Sequence, residues 1–99
     1  MSDYNALVSE HARIAILRVL EDAPRYTSNV SILASALPRL GISHTRDQVV
    51  TEITWMKEQG LVETETSGDF MIVTATTRGV EVAQGIVKHP GIQRPRAGS

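Results

Sequence analysis

Hydrophobic residues in the first quarter of the chain have the spacing of a single amphipathic helix. Between Tyr4 and Asp22, apolar side chains recur at intervals of three and four residues, as in the pair Ile14 and Leu17, and few helix-breaking residues interrupt them. Pro24 cannot continue a helix, because its ring fixes φ and removes the backbone donor. The pattern therefore predicts a first helix that ends before this proline.

The connector after the first helix is short. Residues 25–27 are expected to form a brief extended segment, of the kind that pairs with a later hairpin. Either Ser28 or Asn29 can cap a second helix, since a short side-chain oxygen there accepts a hydrogen bond from an exposed amide of the first turn. The pattern leaves open which of the two residues is the cap.

The second helix has an apolar face that a proline interrupts. Its leucines on one face are Leu33, Leu37 and Leu40. Pro38 removes the amide that would bond back to Ala34 and tends to bend or end a helix. The second helix is therefore expected to kink or stop near Ala36, and Gly41 ends it in any case.

A capping signal marks the start of a third helix. Thr45 and Gln48 have the spacing of a capping box, in which each side chain bonds to the backbone amide of the other residue. A cap at Ser43 would shift the start by a turn or less. The apolar residues that follow, at intervals of four and three, are Val49, Ile53 and Met56. Gly60 is expected to close this helix.

The residue types change after the third helix. Over residues 61–75, β-branched and aromatic residues alternate with polar ones on either side of a turn cluster at 67–69, which predicts a β-hairpin. Thr76 or Thr77 can then cap a last helix, whose apolar residues at helical spacing continue to about Val87.

The predicted order is helix, short strand, helix, turn, helix, hairpin, helix, with a short Gly-containing turn between the two middle helices. This is the order of a winged helix-turn-helix domain, a mostly α fold with a small β-hairpin wing, and the pattern assigns residues 1–87 to it. Residues 88–99, KHPGIQRPRAGS, carry three Lys or Arg residues and no acid in a Pro- and Gly-containing context. They are expected to form a flexible basic C-terminal tail.

Parts of the sequence resemble known proteins. The stretch ITWMKEQGLVETETSGDFMIVTATTRGVEVA is similar to the third helix, wing and last helix of bacterial winged-helix regulators, with a Gly-Leu-Val run at 60–62 and a Thr-x-x-Gly helix start at Thr76–Gly79. With WMKEQGLV and the closing PGIQRPRAG, the whole chain resembles a family of small proteins encoded in Mu-like phages and prophages and usually described as ArsR-like transcriptional regulators. The resemblance implies a winged helix that regulates transcription by binding DNA, and it includes no ArsR-type metal motif.

The composition is that of an ordinary folded domain, with 41% hydrophobic and 21% charged residues in a chain of 99, a length that suits one core. The absence of cysteine excludes disulfides, thiolate metal sites and cysteine nucleophiles, and it suits a reducing cytosol. The apolar stretch from Ile14 to Leu20 contains an arginine and lacks a cleavage site, so we expect neither a signal peptide nor a membrane span. The expected location is the cytoplasm of a bacterial host cell.

If the fold binds DNA, the N-terminal half of the third helix is the part that enters the major groove. There Arg46 can pair with guanine, Gln48 with adenine, and Thr51 with a phosphate or a thymine methyl group. With the cations available for phosphate contacts, the predicted DNA-binding residues are His44, Arg46, Gln48, Thr51, Lys57, Lys88, Arg94 and Arg96. A homodimer that pairs through the first and last helices would suit a palindromic site on double-stranded DNA.

Charge argues against DNA on part of this surface. The formal net charge is −1, and the only charged residues of the predicted wing are Glu63, Glu65 and Asp69. A wing that follows a DNA backbone normally presents arginine or lysine, since phosphates repel carboxylates. The alternative function is a protein-interaction module without direct DNA binding, in which the acidic wing and the side of Trp55 face another protein. The other interpretation of Trp55, and the one we favour, is packing at the edge of the core against the wing or the first helix, with a dimer contact as the second choice.

No pattern of catalytic or cofactor chemistry is present in the sequence. His11, His44 and His89 belong to three different elements, with no second ligand at metal-binding spacing. The chain has no nucleophile-elbow pattern and no Gly-rich phosphate loop, since SGDF is only a turn. We therefore expect no enzyme activity, no metal, no cofactor and no membrane contact, and no small-molecule ligand is evident.

Overall fold

The computed structural model describes residues 2–95, which form helices and one small sheet. In chain order, the elements are α1 (Ser2–Asp22), β1 (Thr27–Asn29), α2 (Val30–Ala36), α3 (Arg46–Glu58), β2 (Val62–Ser67), β3 (Phe70–Ala75) and α4 (Thr77–Ala83), with 3-10 turns at Pro24–Tyr26 and Leu37–Leu40. The strands form an antiparallel sheet in the order β1, β3, β2. The prediction of a mostly helical domain with a small hairpin is confirmed, and the arrangement is compatible with a winged helix.

The hydrophobic core receives side chains from all four of these helices and from both hairpin strands. Its largest fully buried side chains include Ile16, Leu17, Leu20, Leu33, Leu37, Ile53, Met56 and Leu61. α1 contributes the first three and packs against α4 and α3. Within residues 2–95, no helix has both the length and the apolar character that crossing a membrane requires.

The connector between α1 and β1 differs from the prediction. Arg25 and Tyr26 lie in a 3-10 turn with positive φ values of 56°, and the amide of Tyr26 donates to the carbonyl of Ala23 at 3.0 Å. The extended segment starts only at Thr27, which pairs with Thr74 of β3. The predicted pairing with the hairpin is confirmed, but the strand begins two residues later, because the chain must first turn tightly out of α1.

Short-range sequence signals correctly predicted where α2 ends and where α3 begins. Asn29 caps α2 by accepting from the amide of Ile32 at 2.8 Å, and α2 ends at Ala36, where Pro38 was expected to stop it. The capping box of α3 is present: the amide of Gln48 donates to Thr45 Oγ1 at 3.2 Å, and the amide of Thr45 donates to Gln48 Oε1 at 2.7 Å. These helix starts depend on contacts within three residues, which a sequence displays directly.

The last helix is shorter than predicted. Thr76 caps α4 as expected, but the helix ends at Ala83 instead of near Val87. Gly85 has φ of +79°, in the left-handed region, and the amide of Ile86 donates to the carbonyl of Glu81 at 3.0 Å. This is how a glycine commonly terminates a helix. The apolar residues after Gly85 therefore belong to a loop that returns to the core.

Candidate nucleic-acid interface

α3 presents an exposed stripe to solvent. Its members are separated by four, three and four residues, so they lie on one face of the helix: Asp47, Thr51, Thr54 and Glu58. The hydroxyl of Thr51 donates to the backbone carbonyl of Asp47 at 3.0 Å. The stripe therefore combines two carboxylates with two hydroxyl groups, and its positive charge has to come from its flanks.

One flank of the stripe carries two cations, Arg46 and Lys57, both exposed. They are eleven residues apart, which places them within roughly 20° of each other around the helix axis. Arg46 Nη1 donates to Ser31 Oγ of α2 at 2.8 Å. Arg46 thus links α3 to α2 while its guanidinium remains in contact with solvent.

Gln48 is exposed, but its side chain already acts in the capping box. Its Oε1 accepts from the amide of Thr45, so its NH₂ group is the part that remains available for a ligand. Pairing with adenine in the major groove needs both the oxygen and the nitrogen of the amide. In this rotamer Gln48 can donate a hydrogen bond to DNA and cannot make the bidentate pair.

His44 lies below the surface. Its side chain is only 7% exposed, and Nε2 lies 3.2 Å from Oε2 of Glu52. An imidazole held in this way cannot reach a base edge without breaking the contact with Glu52. The prediction that His44 belongs to the exposed DNA-binding residues relied on the polar turn before α3. In the folded chain this side chain points inward instead.

Glu52 is the centre of a buried polar cluster that sequence reasoning missed. The residue is only 5% exposed, and its Oε1 accepts from Arg13 Nε of α1 at 2.8 Å. The Arg13 guanidinium also stacks on the ring of Trp55, 3.9 Å from the centroid. A signal existed, since Glu52 lies between Val49 and Met56 on the core-facing side of α3, where an acid requires a partner.

Residues 88–95, hereafter the C-terminal segment, pack against α1 and α3. Arg13 Nη1 donates to the carbonyl of Gly91 at 2.7 Å, and the amide of Gln93 donates to the carbonyl of Glu10 at 3.2 Å. Ile92 packs against the core. The structure thus places the first eight residues of the predicted tail on the domain.

Gly91 lies in close contact with Trp55. A Cβ atom at Gly91 would lie 2.9 Å from two carbon atoms of the indole, and φ is +89°, a conformation that other residues rarely adopt. His89 packs on the same indole, with ring centroids 5.9 Å apart in an edge-to-face arrangement. Trp55 therefore packs against α1 and the C-terminal segment. The sequence predicts packing of Trp55 against either the first helix or the wing, and the structure shows the contact with the first helix.

The C-terminal segment lies on the other flank of α3 from Arg46. Nine residues separate Arg46 from Trp55, which corresponds to roughly 180° around the helix. Lys88 and Arg94 are exposed in this segment, while Arg96 lies outside the described residues. The predicted cations therefore do not form one patch: Arg46 and Lys57 lie on one side of the acidic and hydroxyl stripe, and the C-terminal segment lies on the other.

The hairpin extends the acidic character of this surface. Glu63, Glu65 and Asp69 are all exposed. None of them forms an ion pair with any residue in the part of the chain that the structure describes, where the ion pairs are those of Glu52. The β2–β3 hairpin therefore presents unpaired carboxylates on its exposed surface.

His89 has a pKa below its ordinary value of 6.5, first because burial disfavours the charged imidazole and second because Arg78 repels it. Its Nε2 lies 3.0 Å from Gln59 Oε1, while its Nδ1 is buried without a hydrogen-bond partner. The neutral ring is therefore the form that fits this site.

Acidification is expected to weaken the fold through His89. Because the pKa is lower in the folded than in the unfolded state, the unfolded chain binds more protons at acidic pH. The stabilisation is present above about pH 6.5, the unfolded value, and is lost as the pH falls through the folded pKa. Urea unfolding of wild type and His89→Gln between pH 8 and pH 5, roughly 1.5 units above and below the unfolded pKa of about 6.5, measures this loss. We expect the wild type to lose more stability; parallel curves would contradict this role of His89.

Comparison with known proteins finds two that are similar over most of the chain. The uncharacterized protein gp26 of Escherichia phage Mu is 40% identical over 92 residues, which cover 93% of this chain and 95% of the relative. An uncharacterized protein of Haemophilus influenzae strain Rd is 36% identical over 76 residues, which cover 76% of this chain and 74% of the relative. No family model matches the sequence. No solved structure matches it.

Proposed function

We propose that this chain, which belongs to the family of protein gp26 of Escherichia phage Mu, is a winged-helix DNA-binding protein that regulates transcription in a phage or prophage. The observation that carries the proposal is the exposed, capped start of α3, with the β2–β3 hairpin next in the chain. The 3-10 turn Leu37–Leu40 and residues 41–45 connect α2 to this helix. In helix-turn-helix proteins, the N-terminal end of the recognition helix, which corresponds to α3 here, enters the major groove. The resemblance to ArsR-like regulators supports the same function.

The base-reading candidates under this proposal are Arg46, Gln48 and Thr51. Arg46 is exposed and can exchange its bond to Ser31 for a bidentate pair with guanine. Gln48 can donate through its NH₂ group, and the hydroxyl of Thr51 lies on the exposed stripe. His44 is not included, because Glu52 holds it below the surface.

Phosphate contacts would come from the two flanks of α3. A helix in the major groove lies between two phosphate backbones, and contacts to both fix its orientation on the duplex. Lys57 lies on the Arg46 side, and Lys88 lies on the side where the C-terminal segment packs. Arg94 is further along that segment, and Arg96 lies outside the described residues. This arrangement would place the cations at the two edges of the interface and the threonines of the stripe at its centre.

The titration that tests DNA binding uses a matched pair of arginine variants. Wild type, Arg46→Ala and Arg18→Ala, a cation of α1 outside the proposed interface, would be titrated into labelled fragments of the phage or prophage genome from which the chain comes. Loss of a guanine contact costs about 1–3 kcal/mol, so Arg46→Ala is expected to bind roughly 5- to 150-fold more weakly. We expect Arg18→Ala to bind like the wild type. Dimerisation as proposed predicts that two chains bind each fragment.

Two outcomes would contradict DNA binding by α3. One is no change in anisotropy even at about 50 mM salt, where electrostatic binding is strong. The other is an equal effect of Arg46→Ala and Arg18→Ala, because contact through α3 requires Arg46 to matter more.

A second candidate function, a protein-interaction module, is favoured by the exposed acids of α3 and the wing. They are Asp47, Glu58, Glu63, Glu65 and Asp69. Carboxylates in such positions repel a duplex but attract a basic protein surface. Under this alternative the same face of the molecule meets a protein partner, and absence of DNA binding at low salt is the result that would favour it.

A further inference from the structure

We infer that the cavity beneath the loop of residues 85–95 binds a small organic anion with an apolar body, such as an aromatic or medium-chain carboxylate. The cavity lies between the end of α4 and the C-terminal segment. Its shape, its lining and its charge each point to this class of ligand.

The loop closes on itself around the cavity. A Cβ atom at Gly85 would lie 3.5 Å from Cγ of Pro95, so the two ends of the loop are in contact. Compact loops of this length with neighbouring ends are frequently functional. The space is a half-open cavity of about 520 Å³, which falls within the range of roughly 300–1,000 Å³ typical of small-molecule sites.

The lining is apolar where a ligand body would lie. Val82 of α4 is 2% exposed, and Val87 and Ile92 are half-buried and pack against the core. Pro90 and Pro95 complete the apolar wall. Side chains of this kind bind hydrocarbon rings or chains by removing them from water.

The charged groups of the cavity are basic. Lys88, His89 and Arg94 line it, and no carboxylate is among its lining residues. In residues 2–95, neither Lys88 nor Arg94 forms an ion pair. An anion placed between Lys88 and Arg94 would receive charge-assisted hydrogen bonds.

Binding of such an anion does not depend on DNA binding by α3. If both occur, the ligand would occupy Lys88 and Arg94, two of the proposed phosphate contacts, and would compete with DNA for them. The cavity can therefore be tested on the protein alone, and a failure there is separate from a failure of the DNA titration.

Two dyes of the same ring skeleton distinguish the charge from the apolar part of the site. The probe is 8-anilinonaphthalene-1-sulfonate, and its match without the sulfonate is N-phenyl-1-naphthylamine. We expect the sulfonate to bind with a dissociation constant on the order of tens of micromolar, as its size suggests, and the neutral dye at least about tenfold more weakly. Equal binding of the two dyes would overturn the inference, because exposed apolar surface alone would explain it.

Variants locate the bound dye. Lys88→Gln with Arg94→Gln should weaken sulfonate binding by about tenfold or more without affecting the neutral dye, while Lys57→Gln, an exposed cation elsewhere, should change neither. Filling the cavity with Val87→Phe should weaken both dyes, and Ile86→Phe, at the adjacent residue that is 69% exposed, should not. Unchanged sulfonate binding in the double variant, or equal effects of the two phenylalanine variants, would place the dye elsewhere and reject the site.

Discussion

Replacing Gly79 with alanine is expected to destabilise the fold by about 3 kcal/mol or more, beyond the usual range for one added methyl group. Gly79 lies in the first turn of α4, against the start of β2. A Cβ atom there would overlap the backbone carbonyl oxygen of Leu61 and lie 3.4 Å from Cδ2 of Leu17. A backbone atom cannot swing aside as the end of a side chain can, so α4 would have to move away from the hairpin and the core.

The Gly79 expectation can be measured by urea unfolding followed by circular dichroism. Gly68→Ala in the hairpin turn is the comparison, since its φ is +59° and its added methyl group would meet nothing within 4 Å. That variant isolates the cost of a left-handed backbone, about 1–2 kcal/mol. Gly79→Ala should be clearly less stable than Gly68→Ala. Equal stability of the two variants would mean that α4 does not pack as closely as described.

The close approach at Gly79 explains the Thr-x-x-Gly pattern at the start of α4. The amide of Thr76 donates to the carbonyl of Leu61 at 3.0 Å, and its hydroxyl donates to the carbonyl of Gly60 at 2.8 Å. The same hydroxyl accepts from the amide of Gly79 at 3.1 Å. The threonine thus holds the helix against the first two residues of the Gly-Leu-Val run, and the glycine lets the two backbones meet.

Glu52→Ala is expected to cost about 3–5 kcal/mol, the range for removing one partner of a buried charge pair. Without the carboxylate, the Arg13 and His44 side chains, only 17% and 7% exposed, would lose this hydrogen-bond partner, and Arg13 would keep only the carbonyl of Gly91 as an acceptor among the described residues. Glu52→Gln should cost less, because an amide oxygen can still accept from Arg13. Glu58→Ala, an exposed glutamate of the same helix, should remain within about 0.5 kcal/mol of the wild type.

A double-mutant cycle separates the pair from its surroundings. The stabilities of Glu52→Ala, Arg13→Ala and the double variant should give a coupling energy of about 1–3 kcal/mol, as for directly bonded residues. Arg13→Ala should also loosen the C-terminal segment, since Arg13 bonds to Gly91 and stacks on Trp55. Proteolysis after residue 88 would report that loosening. Additive effects of the two substitutions would contradict the cluster.

Much of the secondary structure could be predicted because its causes are local. The capping box at Thr45 and the stop before Pro38 depend on residues within one helical turn, so their spacing is visible in the sequence. The predicted end of α4 was too late because the prediction used only local spacing. The apolar residues near Val87 continue the helical spacing, and only the path of the chain shows that they return to the core as a loop.

The candidate site was less predictable, because its contacts join distant parts of the chain. Arg13 and Glu52 are 39 residues apart, and Arg13 and Gly91 are 78 apart. A sequence shows that a glutamate lies on the apolar side of α3, but it does not show which cation meets it. Similarly, nothing local indicates that the cations of the C-terminal segment lie on the opposite flank of α3 from Arg46.

The order of the helices and the hairpin and the exposed start of α3 follow from the amino-acid sequence alone, because they depend on periodicity and short-range caps. Membership of a phage protein family likewise follows from sequence identity. The contacts of Glu52 with His44, the close-contact positions Gly79 and Gly91, and the basic cavity lined by residues of the C-terminal segment became visible only in the folded chain. These features arise from packing between residues far apart in the chain, where side-chain volume and the pairing of buried charge select the contacts.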